Sequence, residues 1–213
     1  MTSRNWVKLF LTTLMIGGLT TAIVGYIVRW NVFSPYFTEL KVLELLSGTI
    51  WLIGIGFLFS LVSQLGFFAY LTVHRFGIGI FKSVSLWNAV QVLLTLFALF
   101  DLIYFTKSKT ILSHIILATI LVIVGLIVAQ IKAKQTNRNA FIPALFFMVV
   151  VTSVEWVPAL RTNSNNWMFY LMFFGLLSCN VYQILILHKL NARSEQEREK
   201  IINKKPIKSK KSV

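Results

Sequence analysis

Three ionisable side chains interrupt stretches that are otherwise apolar: Asp101, His114 and Glu155. A charged group in hydrocarbon costs roughly 2.5–3.5 kcal/mol on insertion scales, so each needs a reason to be there. Two carboxylates and an imidazole at one level could hold a proton or bind the polar part of a solute. Counted from the end of its own apolar stretch, each falls in the outer part of a membrane, at similar depth. Together they make a candidate outer polar pocket. The plainer account is that each snorkels to a nearby interface and meets water or a base there. Asp101 has Lys107 and Lys109 close in sequence, and Glu155 is followed by Pro158 and Arg161, with which it could pair.

A second set is made of amides. Gln64, Asn88, Gln91, Asn180 and Gln183 map to the opposite, cytoplasmic half. Amides can bond across helices, and each such bond contributes about 0.6 kcal/mol on average, so this inner polar layer reads as interhelical glue. Catalytic signatures are missing. The chain has no His-Glu-x-x-His, no Gly-x-Ser-x-Gly elbow and no Walker loop. His74, His114 and His188 are far apart and at different depths, so no metal site is expected. Cys179 is the single cysteine and lies in an apolar run, where it reads as a small packing residue. No catalytic residue, metal or cofactor is assigned, and the chain is not expected to be an enzyme.

The elements that must carry these groups follow from composition. Charged residues are 13% of the chain, against about a quarter in a soluble domain. The apolar residues, 56% of the total, come in long unbroken runs that a soluble core of this size could not hide. A membrane-spanning helix needs roughly 20 such residues. Six windows qualify: 9–28, 45–65, 87–105, 111–131, 141–160 and 167–188. The first is too long for a signal-peptide core and lacks a small-residue cleavage site, so a retained helix is expected. The fold class is all-α, a polytopic integral membrane bundle of about six helices. Tight connections near residues 107–110 and 162–166 make helical hairpins of the third with the fourth and the fifth with the sixth. No internal repeat is evident. Gly17, Gly18 and Ala22, with Gly54 and Gly56, would let the first two spans approach closely.

Charge sets the orientation. Arg29, Lys41, Lys107, Lys109 and Arg161 fall on one side, and the remaining sixteen of the 21 Lys and Arg on the other. The positive-inside rule then puts both termini in the cytoplasm. Residues 189–213 form a basic tail, with a mixed-charge helical stretch at 194–200 and a break at Pro206. Such a tail is a topology signal and a contact for anionic lipids before it is anything for nucleic acid, which is not expected as a partner.

The connection from Gly66 to Ser83 is aromatic and carries three glycines with Arg75 and Lys82. It reads as a surface or re-entrant element on the cytoplasmic side, after a second helix whose inner end could lie as late as Thr72. Phe68, Tyr70, His74, Arg75, Phe76 and Lys82 are its candidate lipid or partner surface.

Ser3-Arg4-Asn5-Trp6-Val7-Lys8-Leu9-Phe10, Ile16-Gly17-Gly18 and above all the block from Gln64 to Leu93 carry a family resemblance. That block runs Gln64-Leu65-Gly66-Phe67-Phe68-Ala69-Tyr70-Leu71-Thr72-Val73-His74-Arg75-Phe76-Gly77 and on through Phe81-Lys82-Ser83 to Trp87-Asn88-Ala89-Val90-Gln91. It resembles the KinB-signalling pathway activation family of spore-forming Bacillus relatives. The resemblance implies a multi-pass protein of the bacterial cell membrane that promotes signalling by a KinB-type sensor histidine kinase, directly or indirectly, into the sporulation phosphorelay. It supplies no catalytic residue. The alternative expectation is a small transporter or permease whose outer pocket binds a solute and affects signalling indirectly. A third, an intramembrane enzyme, would need both carboxylates and the histidine within hydrogen-bond reach.

Overall fold

The computed structural model describes residues 2–104, 111–161 and 166–204. Among them there is no strand. Eight α-helices follow one another: α1 Ser3–Val28, α2 Trp30–Thr38, α3 Val42–Phe81, α4 Val84–Tyr104, α5 Ile111–Gln135, α6 Phe141–Phe146, α7 Thr152–Arg161 and α8 Asn166–Lys204. A single 3₁₀ turn, Arg138–Ala140, precedes α6, and a π-helical segment, Phe147–Val151, joins α6 to α7. Six helical stretches are long and apolar enough to cross a membrane, with mean hydropathy from 1.5 to 2.6. They are α1, α3, α4, α5, the α6–π–α7 unit and α8.

Helix α1 turns its large apolar residues outward. On α1 the large residues Leu11, Met15, Leu19, Ile23 and Ile27 are exposed, four residues apart. The opposite face buries Thr13, Gly17, Gly18, Thr21, Ala22 and Gly25. Water would not tolerate that stripe, whereas lipid tails are as apolar as leucine, and small residues on the inner face let backbones meet. At the crossing with α3 they do: a Cβ on Gly56 would lie 2.5 Å from the Gly17 carbonyl oxygen and 2.7 Å from the Gly18 Cα. The third helix of this central group is α8, whose Cys179 Sγ lies 3.7 Å from the Thr13 carbonyl oxygen. The aromatic core lies beside it, where Trp156 stacks on Phe169 and Phe173 and Phe67 meets Phe147.

The second span is longer than its 45–65 window and than the extension to Thr72 that the sequence left open. Residues 66–81 continue α3, which runs unbroken for 40 residues, about 60 Å at 1.5 Å per residue. None of its glycines has a positive φ. Two of them are notches: a Cβ on Gly66 would strike the Glu155 carboxylate, and one on Gly77 would lie 2.5 Å from the Trp87 ring. The helix stops at Lys82, which takes a left-handed conformation with φ 51°. The fifth span is not one regular helix either. Its π segment turns Phe147, Met148 and Val149 all into the core, because the wider turn lets consecutive side chains share a face.

A short helix not foreseen, α2, folds back on α3 and seats Phe33 against Gly48. Arg29 lies over the Trp167 ring, 4.6 Å from its centroid. At the nearby corner the Glu39 carboxylate beside Lys41 holds its ammonium above the usual lysine range. At the other end of the bundle the start of α1 meets α8. Thr2 N–H donates to Ser194 Oγ at 3.1 Å, Asn5 Nδ2 to the same oxygen at 2.8 Å, and Arg4 pairs with Glu197 at 2.7 Å. We call this end, where residues 2–5 meet residues 194–197, the terminal end.

Candidate functional site

The polar groups that sequence assigned to two layers meet in one seam between α3, α7 and α8. Its centre is Asn180, fully buried on α8. The Asn180 Nδ2 donates to Glu155 Oε2 at 2.8 Å and to Thr152 Oγ1 at 2.9 Å. Its Oδ1 accepts from Ser63 Oγ at 2.7 Å. Ser63 also lies 3.4 Å from Gln183 Oε1. One turn away on α3, Gln64 Nε2 donates to Ser60 Oγ at 3.1 Å. Ser60, Ser63, Gln64, Thr152, Glu155, Asn180 and Gln183 are all buried.

Glu155 is thus an outer-pocket residue by sequence position and a partner of the inner amides in space. The reason is the direction of side chains. A Cα–Cβ bond leans toward the N-terminus of its helix. The helices α7 and α8 are antiparallel neighbours, so Glu155 leans toward the terminal end while Asn180 leans away from it. The two close a gap that a count along the chain leaves open. Gly66 completes the fit, since only a residue without Cβ leaves room for the Glu155 carboxylate.

Of the rest of the outer set, only Asp101 lies among the described side chains. Asp101 is partly exposed on α4 and makes no bond to Glu155. The side chains of His114 and Arg161, with Lys107 and Lys109, lie outside the described residues. So do both hairpin connections and the basic segment beyond Lys204.

The inner set is divided. Gln64, Asn180 and Gln183 belong to the seam. Gln91, fully buried on α4, instead reaches toward His74 Nδ1 at 3.4 Å, and the Trp87 indole donates to the same nitrogen at 3.1 Å. Asn88 is half-buried, and its Oδ1 has no partner among the described residues. The candidate surface divides too. Phe68, Arg75, Phe76 and Lys82 are exposed and His74 is half-buried. Tyr70 turns the other way, into the core, where its hydroxyl donates to the Pro143 carbonyl at 3.1 Å.

Sequence reasoning passed over Ser60, Ser63, Thr152 and Lys132. The first two were legible in principle, because Ser60, Ser63, Gln64 and Phe67 repeat at helical spacing on one face. Lys132 was counted only as a positive charge. It is buried, and its Nζ donates to the Ile184 carbonyl at 2.7 Å, tying α5 to α8.

Three seam atoms lack partners among the described residues: Glu155 Oε1, Gln64 Oε1 and Gln183 Nε2. Unpaired buried polar atoms are uncommon in folded proteins and mark places where a water or a ligand fits. Among the described residues no group of three or more His, Cys, Asp or Glu could hold a metal ion. The seam can hold a proton or a small polar guest, and it fixes the register of three helices.

Fold and site together define a polytopic helical bundle, with six helices able to cross a membrane and a polar seam inside it. The family model described as KinB-signalling pathway activation in sporulation matches residues 17–190. Over 199 residues the chain is 42% identical to the KinB-signaling pathway activation protein of Bacillus subtilis (strain 168), covering 91% of this chain and 100% of that protein. The chain belongs to the KinB-signalling pathway activation family. No solved structure matches it.

Proposed function

We propose that this protein acts in the bacterial cell membrane as an accessory activator of a KinB-type sensor histidine kinase that feeds the sporulation phosphorelay. The observation that carries this reading is the 42% identity across the full length of a relative named for activation of that pathway. The start of α1 sits beside residues 194–197 of α8 at one end of the bundle, and the excess of Lys and Arg supports a cytoplasmic position for that end. Outside the six spans the described residues add chiefly α2 and the ends of α3 and α8. The activator therefore works through helix faces and the terminal end, in lateral contact with the kinase's own membrane region. It must bind the kinase's active state better than its inactive one, since equal affinity for both shifts nothing.

The test is deletion of the gene, scored for sporulation in the host and in a strain whose phosphorelay needs no sensor kinase. Loss that the bypass restores is the expected result. Unchanged sporulation on deletion would overturn the proposal.

One observation favours a second reading, solute binding in the seam: the unpartnered Glu155 Oε1 beside the unpartnered amide atoms of Gln64 and Gln183. Under that reading Glu155→Gln abolishes signalling at normal protein abundance. Full signalling in that variant would end it.

A further inference from the structure

We infer that the groove between α1, α3 and α8 at the terminal end binds the headgroup of one anionic phospholipid. The inference rests on the membrane reading of the six helices and not on the kinase reading. The groove has a volume of about 760 Å³ and is lined chiefly by Trp6, Phe68, Leu71, Arg75, Phe76 and Asn191.

Its lining mixes apolar rings with a cation and an amide. Trp6 and Phe68 pack with ring centroids 4.9 Å apart and, with Leu71, make an apolar wall. Arg75 and Asn191 line it too, both exposed, with Phe76 and Ile78 beyond Arg75 along α3. Trp6 comes just before the first apolar run and Asn191 just after the last one, so the groove straddles the level where hydrocarbon gives way to headgroups. A slot at that level with apolar walls and one cation fits an amphiphile with an anionic head.

Two side chains able to donate line the groove. Arg75 has no ion pair among the described residues. Of the three carboxylates on this stretch of α8, Glu197 is taken by Arg4, Arg193 and the Thr2 hydroxyl, and neither Glu195 nor Glu199 forms an ion pair with Arg75. His74 supplies the second donor. An indole N–H can only donate, so His74 Nδ1, which lies 3.1 Å from Trp87 Nε1, must accept. The neutral ring then carries its proton on Nε2, and His74 lines the groove. A guanidinium beside an N–H suits a phosphodiester.

The basic tail attracts anionic lipid as a diffuse field, whereas this groove would hold one molecule in one place.

The test uses the full chain in detergent with phosphatidylglycerol or phosphatidylcholine added, with retained lipid counted by native mass spectrometry. The expected result is one retained phosphatidylglycerol, preferred over phosphatidylcholine. Arg75→Gln is expected to weaken retention roughly fivefold, the worth of one basic residue near an anionic surface. Thr72→Trp, which fills the exposed groove without removing charge, should abolish it. Arg138→Gln and a variant with Lys208, Lys210 and Lys211 changed to Gln should leave it intact. Excess inorganic phosphate should not displace the lipid. Retention unchanged in both Arg75→Gln and Thr72→Trp would overturn the inference and leave the groove to a protein partner. Equal loss in the tail variant would reassign binding to the diffuse basic field, and displacement by phosphate alone would reassign it to a free anion.

Discussion

Asn180 on α8 and Glu155 on α7 are joined by a 2.8 Å hydrogen bond inside the bundle, and the same Asn180 amide also holds Thr152 and Ser63. One side chain therefore links three helices. Its neighbours have few other ways to satisfy their polar atoms, because the walls around them are apolar.

Asn180→Leu should destabilise the bundle. It removes three interhelical bonds of about 0.6 kcal/mol each, so a loss of about 2 kcal/mol is expected. Thermal unfolding in detergent would show it as a lowered Tm. A Tm equal to wild type would mean that the three bonds are replaced by others in the variant.

The α1–α3 crossing gives a matched pair of glycine substitutions. At Gly56 a Cβ would meet backbone on both contacts, the Gly17 carbonyl and the Gly18 Cα. Backbone cannot swing aside, so Gly56→Ala should cost about 1–3 kcal/mol of overpacking. At Gly54 a Cβ meets nothing within 4 Å, and Gly54→Ala should stay within about 0.5 kcal/mol of wild type. Equal melting temperatures for the two variants would contradict the crossing.

Gly66 and Glu155 should behave as one unit. Gly66→Ala must push the Glu155 carboxylate away from Asn180, because the new methyl and Oε1 would overlap. Glu155→Ala empties that space. In a double-mutant cycle the two changes together should be less harmful than the sum of each alone, with a coupling of about 0.5–3 kcal/mol. Strict additivity would show that the two residues do not touch.

Lys82 ends α3 in a left-handed conformation, with φ 51°. A residue with a Cβ loses about 1–2 kcal/mol there, which glycine does not. Lys82→Gly should therefore raise stability by about 1 kcal/mol. A fall in Tm would mean that the lysine side chain contributes more than its backbone strain costs.

Much of this protein is set by its sequence alone. Long apolar runs have one solvent that suits them, so six spans and an all-helical fold follow without tertiary information. Family strings such as Gln64-Leu65-Gly66-Phe67-Phe68 carry the kinship directly. The tertiary structure decided what lies between the helices. Gly66 and Gly77 were legible only as glycines of an aromatic connection and are notches in the fold, because what a missing Cβ admits depends on what stands opposite. Glu155 was assigned a depth by counting residues from the end of its span. Its true neighbours were set by the lean of antiparallel side chains and by spans of unequal length, α3 with 40 residues and α8 with 39. Sequence fixes which residues must leave water, since transfer energy belongs to each side chain. Which polar atoms then meet is a property of pairs, and pairs exist only once the helices have packed.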